Sequence, residues 1–189
     1  MTLWTIGHST RTQEEFLAAL QSQQITALAD VRKLPGSRRY PHFDQEPLAL
    51  ELRRQGIEYH HFPGLGGRRK PHPDSHNTAW RHSAFRAYAD YMESPDFEQA
   101  IERLAKLAEE KRTAVMCAEA VWWRCHRSLI ADYLKARGWC VLHILDAKKT
   151  QEHPYTGAAR LVDGQLSYTL PETGELFARA SNPGVSRNV

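Results

Sequence analysis

Short apolar runs alternate along the chain with segments in which apolar residues recur every three or four positions. The runs over residues 3–6, 25–29, 57–62, 113–117 and 139–145 are typical of buried strands. The periodic segments between them indicate amphipathic helices. Strands that alternate with helices favour an α/β fold in which a mostly parallel, open sheet carries helices on both faces. A closed barrel is not expected, because that fold usually needs about 250 residues.

Capping residues and prolines place the ends of several predicted helices. Thr12, followed three residues later by Glu15, forms a capping-box pattern ahead of the first helix. Pro47 suits the first turn of the second helix, and Pro95 opens the fourth. Ser83 is expected to cap the third helix.

The chain is expected to form a single α/β domain over residues 1–170, followed by a C-terminal tail over 171–189. Within the domain, the segment 161–166 surrounds an Asp-Gly pair, which predicts a small C-terminal hairpin. The segment 63–82 is a long loop rich in Gly, Pro, His and Arg. Loops of this length inside compact domains are usually functional or mobile.

Composition excludes several classes of protein. Hydrophobic residues make up 41% of the 189 residues and charged residues 25%, which excludes a disordered or fibrous chain. No apolar run approaches the roughly 20 residues of a membrane span, and no signal peptide is predicted at the N-terminus. Three cysteines, an odd number, argue against a disulfide framework. We therefore expect a cytoplasmic protein with free thiols.

Polar, basic loops follow each of the five predicted strands. In an open parallel sheet these loops share one edge, which is where ligands bind. Arginines and glycine amides at such an edge favour an anion site. The net charge of +3 also favours anionic partners. The candidate site residues in these loops are His8, Ser9, Asp30, Arg32, Ser37, Gly66, Gly67, Cys117, Glu119, Cys125, His126 and Arg127.

The cysteines carry the most specific chemistry. Cys117 ends a predicted buried strand, and Cys125 lies at the start of a predicted helix. A thiol near a helix N-terminus and an arginine has a lowered pKa, which makes it a better nucleophile or metal ligand. The alternative is that these cysteines are core residues, because free cysteine is among the most buried residue types. Cys140, in the middle of a predicted strand, is expected in the core.

Known cysteine motifs match only in part. The spacing from Cys117 to Arg124 is one residue longer than in the loop of cysteine phosphatases and rhodaneses. Cys-Ala-Glu at 117–119 matches the first half of the deaminase zinc motif, but the second half is absent. A zinc site from Cys117, Cys125, His126 and a distant histidine stays an alternative, although no paired Cys-x-x-Cys pattern supports it. We predict neither a resident metal nor a cofactor.

An ordered set of motifs resembles the family known as domain of unknown function 488, found in bacteria and archaea. The resemblance covers roughly residues 3–146 and implies a cytoplasmic α/β domain whose marked residues cluster in one pocket. The motifs that carry it are Thr5-Ile-Gly-His-Ser-Thr10, Asp30-Val-Arg32 with Pro35 and Ser37, Leu65-Gly66-Gly67, Cys117-Ala-Glu119 and Cys125-His-Arg127.

The favoured hypothesis is an enzyme that acts on a phosphate-bearing substrate, a nucleotide or a nucleic acid. Arg32, Arg127 and the amides of Gly66 and Gly67 would hold the anion. Cys117 would be the nucleophile or a redox thiol.

Further polar residues would assist this chemistry. Glu119 would be the acid/base, unless it pairs with an arginine of the pocket. Asp30 would orient Arg32 or share the proton transfer. His8 and Ser9 would line the entrance, and the rest of the binding surface would come from Ser37, Cys125 and His126.

Two further hypotheses remain open. One is a nucleic-acid-binding accessory protein without chemistry, in which Trp122 and Trp123 stack bases among the arginines. These tryptophans could instead pack the loop onto the domain. The other is a metal-thiolate protein that holds zinc or iron. No membrane partner is expected, and the sequence does not predict an oligomeric state.

Overall fold

The computed structural model describes residues 1–171 and has the predicted α/β fold. Its strands are β1 (Thr2–Gly7), β2 (Ala27–Asp30), β3 (Glu58–His61), β4 (Thr113–Cys117), β5 (Cys140–Ile144), β6 (Thr150–Glu152), β7 (Arg160–Val162) and β8 (Gln165–Ser167). Its helices are α1 (Gln13–Ser22), α2 (Gln45–Arg54), α3 (Ser83–Tyr91), α4 (Pro95–Glu110) and α5 (Arg127–Ala136). Single 3-10 turns lie at Pro41–Phe43, Pro63–Leu65 and Trp122–Arg124.

Six strands form one sheet in the order β3-β2-β4-β1-β5-β6. The first five strands of this order are parallel, and only β6 pairs antiparallel, along β5. The remaining strands, β7 and β8, form the predicted hairpin, in which Asp163 and Gly164 both have positive φ. Positive φ at both central residues is typical of a type I′ turn.

Helices cover both faces of the sheet, as predicted. The apolar residues of α1 and α2 pack on one face, and those of α3, α4 and α5 pack on the other. The chain therefore leaves β4 toward one face and leaves its two neighbours, β1 and β2, toward the other. Such a change of direction opens a crevice beyond the carboxyl ends of the strands.

Two local predictions were wrong, and one strand was missed. The cap of α3 is His82, whose Nδ1 accepts the Ala84 amide at 3.2 Å, so Ser83 is the first helical residue. Strand β6 was not predicted, because its three residues are exposed and polar and carry no apolar pattern. Cys140 is exposed at the first position of β5 and does not belong to the core.

The C-terminal tail predicted over 171–189 lies outside the described residues except for Pro171. Among residues 1–171, no helix combines the length and apolarity needed to cross a bilayer.

Candidate functional site

A cleft of about 1100 Å³ opens beyond the carboxyl ends of β1, β2 and β4. It brings together side chains from the loop after each strand and from the long loop before α3. Of the residues predicted for the site, those that line the cleft are His8, Ser9, Arg32, Ser37, Gly67, Cys117, Glu119, Cys125 and His126. The others, Asp30, Gly66 and Arg127, lie behind its walls.

Gly7 lets the chain after β4 cross closely over the end of β1. The amide of His8 donates to the Cys117 carbonyl at 3.0 Å, and the amide of Ser9 donates to the Ala118 carbonyl at 2.8 Å. A Cβ atom at Gly7 would lie 2.0 Å from the Glu119 carbonyl oxygen. Only a residue without a side chain fits there. Gly7 therefore fixes the path of the segment 118–120, which follows Cys117.

Cys117 and Cys125 form the floor of the cleft together with His126. Cys117 is the last residue of β4, and Cys125 precedes α5 directly after the 3-10 turn at 122–124. The two Sγ atoms and a ring nitrogen of His126 all lie within 4.8 Å of one another. The Cys125 Sγ lies 3.7 Å from Nδ1 of His126.

The two thiols have opposite tendencies to ionise. The hydrogen bond with Cys117 and the positive charge of Arg127 hold the pKa of Cys125 well below its ordinary value, against the effect of burial. The hydrogen bond with Cys125, together with burial, raises the pKa of Cys117. The surroundings therefore favour ionisation of Cys125 over ionisation of Cys117.

The same three residues could hold a thiophilic metal ion. Two thiolates and one imidazole are donors that zinc accepts, and a catalytic zinc site keeps its fourth position open. The distances of up to 4.8 Å between these ligand atoms are compatible with a shared ion after small side-chain rotations. His126 also presents a buried Nε2 atom without a hydrogen-bond partner among the described residues.

Arg32 is held by Asp30 and does not present a free guanidinium. Its Nη2 atom donates to Asp30 Oδ2 at 2.6 Å and to the Phe43 carbonyl at 2.8 Å. Asp30, fully buried, also accepts the hydroxyl of Tyr59 at 2.7 Å. Of the two roles considered for Asp30, this geometry favours the orientation of Arg32.

His8 lies between this ion pair and the open cleft. Its ring stacks on Phe43 with centroids 4.3 Å apart, and its Nε2 lies 3.3 Å from Nη1 of Arg32. Burial, and next the positive charge of Arg32, lower the pKa of His8 to about 4. His8 is therefore neutral at physiological pH and contributes polarity without charge.

Arg127 and Glu119 do not pair through their side chains. The Arg127 guanidinium is buried and donates to the Glu119 backbone carbonyl and, at 3.2 Å, to Thr5 Oγ1. The exposed Glu119 carboxylate accepts the Val121 amide at 3.2 Å. Arg127 thus anchors the segment that crosses β1, while the carboxylate of Glu119 faces the cleft.

Four exposed cations that were not predicted for the site also line the cleft: Lys33, Arg39, Arg68 and Arg124. Within residues 1–171, no acidic side chain forms an ion pair with any of them. Glu119 is the single acidic side chain among the lining residues described. The signal available in the sequence was the basic character of the loops that follow the strands.

The two adjacent tryptophans divide between packing and exposure. Trp122 is buried and stacks on His143, with ring centroids 4.4 Å apart and planes 8° from parallel. Trp123 is 57% exposed and lines the cleft next to Arg124. Trp122 therefore fixes the turn, and Trp123 presents its ring at the cleft.

Fold and site together define an α/β protein with a basic, thiol-containing cleft at the switch point of its sheet. The chain belongs to the family described as Domain of unknown function DUF488, whose model matches residues 12–134, more than half of the chain. No curated protein matches the chain. No solved structure matches it.

Proposed function

We propose that this protein is an enzyme that acts on a phosphate-bearing substrate, a nucleotide or a nucleic acid. The observation that carries the proposal is the juxtaposition in one cleft of a thiol pair and four unpaired cations, with one acidic side chain. Phosphate oxygens are bound in proteins by arginine and lysine side chains. A thiolate in an electropositive setting is the reactive form of cysteine.

We assign these roles differently from the sequence pattern. The exposed Arg39, Arg68 and Arg124 bind the anion, because Arg32 and Arg127 already have partners inside the protein. The Gly66 amide is also occupied, since it donates to the Pro63 carbonyl at 3.0 Å.

Cys125 is the nucleophile in this proposal, because it precedes α5 and lies next to Arg127 and His126, a setting that favours a thiolate. Glu119, whose carboxylate is exposed in the cleft, serves as the acid/base. A cytoplasmic location would keep both thiols reduced.

Substrate screening with thiol and arginine variants tests the proposal. Nucleotides and single-stranded oligonucleotides are the probes for binding and turnover at low salt. Cys125→Ser is expected to abolish turnover and leave binding in place, whereas Cys140→Ser, at the exposed start of β5, changes neither. Turnover that survives Cys125→Ser contradicts the catalytic role.

The binding role is tested on the arginines. Arg68→Ala is expected to reduce affinity for oligonucleotides and to lower the salt slope of binding by about one. The matched control is Arg53→Ala, on the exposed surface near the end of α2. Absence of binding to every nucleotide and oligonucleotide at low salt contradicts the phosphate-bearing substrate itself.

The exposed ring of Trp123 favours a second candidate function, nucleic-acid binding without chemistry. An aromatic face beside Arg124 is the combination on which single-stranded bases stack. Oligonucleotide binding that is unaffected by both cysteine variants, with no turnover of any probe, would support this function over the enzyme.

A further inference from the structure

We propose that Cys117 and Cys125 are a peroxide-reactive dithiol that a hydroperoxide converts into an intramolecular disulfide. This inference goes beyond the proposed function, because it needs the two thiols and not the phosphate-bearing substrate. It depends on how the fold brings together two cysteines from different elements at the floor of an open cleft.

The two sulfur atoms already lie close together. The Sγ atoms lie within 4.8 Å of each other, and a disulfide requires a separation of about 2.05 Å. Cys117 is held by the sheet, whereas Cys125 follows the 3-10 turn at 122–124. Closure of the bond is therefore expected to move the turn, which carries Trp123 and Arg124 at the rim of the cleft.

The two cysteines differ in their surroundings. Cys125 precedes α5 and its Sγ lies 3.7 Å from Nδ1 of His126, whereas Cys117 ends β4. A thiol near a helix N-terminus and an arginine, here Arg127, is the more reactive one, so Cys125 attacks and Cys117 resolves. The third cysteine, Cys140, lies at the start of β5, at the opposite end of the sheet from the cleft, and takes no part.

The cleft gives an oxidant access to the pair. Cys125 is only 5% exposed but lines the cleft, so a small hydroperoxide can reach its sulfur. A thiolate that reacts with peroxide is oxidised first to a sulfenic acid, which then condenses with a nearby thiol.

The reaction balances in two steps. The Cys125 thiolate attacks one peroxide oxygen, an S–O bond forms, the O–O bond breaks, and the departing hydroxide takes up the proton that the Cys125 thiol released to solvent on ionisation. Cys117 then attacks the Cys125 sulfur, an S–S bond forms, the S–O bond breaks, and the departing hydroxide takes the Cys117 proton. Both sulfurs are oxidised, and one hydrogen peroxide is reduced to two waters.

The test treats the reduced, full-length Cys140→Ser protein with hydrogen peroxide, blocks free thiols and digests with trypsin. Cleavage after Arg112, Arg124 and Arg127 separates the two cysteines, so the disulfide joins peptide 113–124 to peptide 125–127. We expect this linked pair in monomeric protein, its disappearance with dithiothreitol, and a change in tryptophan fluorescence on oxidation.

Site variants provide the second readout. In a Cys117→Ser, Cys140→Ser protein, the sulfenic acid on Cys125 has no partner and is expected to accumulate and react with dimedone. Two thiols that stay reduced, or a linkage only between chains, would overturn the proposal. So would a metal ion bound at about one per chain that protects both sulfurs.

Nucleotide and oligonucleotide binding, measured on the reduced protein, keeps this result separate from the proposed function. Disulfide formation without any binding supports the dithiol proposal and contradicts the proposal of a phosphate-bearing substrate. Binding and turnover without disulfide formation support the substrate proposal and contradict the dithiol proposal.

Discussion

Arg127 and Asp132, two buried charges on α5, are joined through three other side chains by an unbroken series of hydrogen bonds. Arg127 contacts Thr5 Oγ1 at 3.2 Å, and Thr5 Oγ1 lies 2.7 Å from Nδ1 of His143. Nε2 of His143 lies 2.9 Å from Nδ1 of His153, whose Nε2 lies 2.9 Å from Oδ1 of Asp132.

The two ends set the direction of the outermost bonds in this series. A guanidinium only donates and a carboxylate only accepts, so Arg127 donates to Thr5 and Nε2 of His153 donates to Asp132. Burial, followed by the neighbouring His153, lowers the pKa of His143 to about 2, so His143 is neutral. The series holds Arg127 in place, and Arg127 in turn anchors the segment 118–120 that follows Cys117.

Asp132→Asn is expected to lower the free energy of unfolding by about 3 kcal/mol. The carboxylate accepts from His153, from the Thr156 amide and hydroxyl, and from the Tyr168 hydroxyl. An amide cannot accept all four, and Arg127 would lose the anion at the far end of the series. Urea unfolding measures the loss. Asp163→Asn, in the exposed hairpin turn, is the control, and an equal effect of both variants would contradict the role of the series.

Stability is expected to fall as the pH drops from about 7 to about 5. Burial lowers the pKa of His8 to about 4 and that of His143 to about 2, from an ordinary value of 6.5. The unfolded chain thus binds protons in a range where the folded protein does not, so acid favours unfolding.

Each of these two histidines contributes a loss of about 2 kcal/mol between about pH 7 and about pH 5. Urea unfolding at both pH values measures the combined loss of unfolding free energy. His8→Gln is expected to remove the part of this loss that His8 contributes. His72→Gln, in the exposed loop before α3, should follow the wild-type curve. A pH dependence that is unchanged in His8→Gln would refute the assignment.

Gly7→Ala is expected to destabilise the protein and to displace the segment that crosses β1. The added Cβ would lie 2.0 Å from the Glu119 carbonyl oxygen and 2.7 Å from the Ala120 Cα, and backbone atoms cannot rotate away. Overpacking of this kind costs about 1–3 kcal/mol or more.

Thermal unfolding compares Gly7→Ala with Gly157→Ala, whose Cβ would meet nothing within 4 Å among the described residues. We also expect Gly7→Ala to increase the reactivity of Cys117 toward thiol reagents, because Cys117 lies directly before the displaced segment. Equal melting temperatures and thiol reactivity in the two variants would show that the crossing adapts to a side chain.

The sequence predicted the parts of the fold in which neighbouring residues share one environment. Strand β4 is a run of apolar residues buried in the centre of the sheet, and its predicted bounds were confirmed. Strand β6 lies at an edge with exposed residues, so its position depends on pairing with β5 and not on its own composition. Alternation of strands and helices predicted a parallel sheet, and the cleft lies beyond the carboxyl ends of its strands, where ligands bind in such sheets.

The division of the arginines between structure and surface could not be predicted. Arg32 and Arg68 both follow a strand in polar loops and look alike in sequence. Folding places Arg32 on Asp30 and leaves Arg68 exposed with a positive φ of 59°. Similarly, the partners of Arg127 come from Thr5 and Glu119, which are brought to α5 only by the packing of the sheet.

Trp123→Ala is expected to weaken binding of single-stranded oligonucleotides by about 1–3 kcal/mol and to leave binding of inorganic triphosphate unchanged. The ring is 57% exposed at the cleft and is supported edge-on by Trp122, with centroids 5.2 Å apart. A base would stack on the free face of the ring, whereas triphosphate has no base and contacts only the cationic side chains of the cleft. Fluorescence anisotropy and calorimetry measure the two affinities. An equal loss for both ligands would indicate that Trp123 shapes the cationic rim, and no loss for either would place the base elsewhere in the cleft.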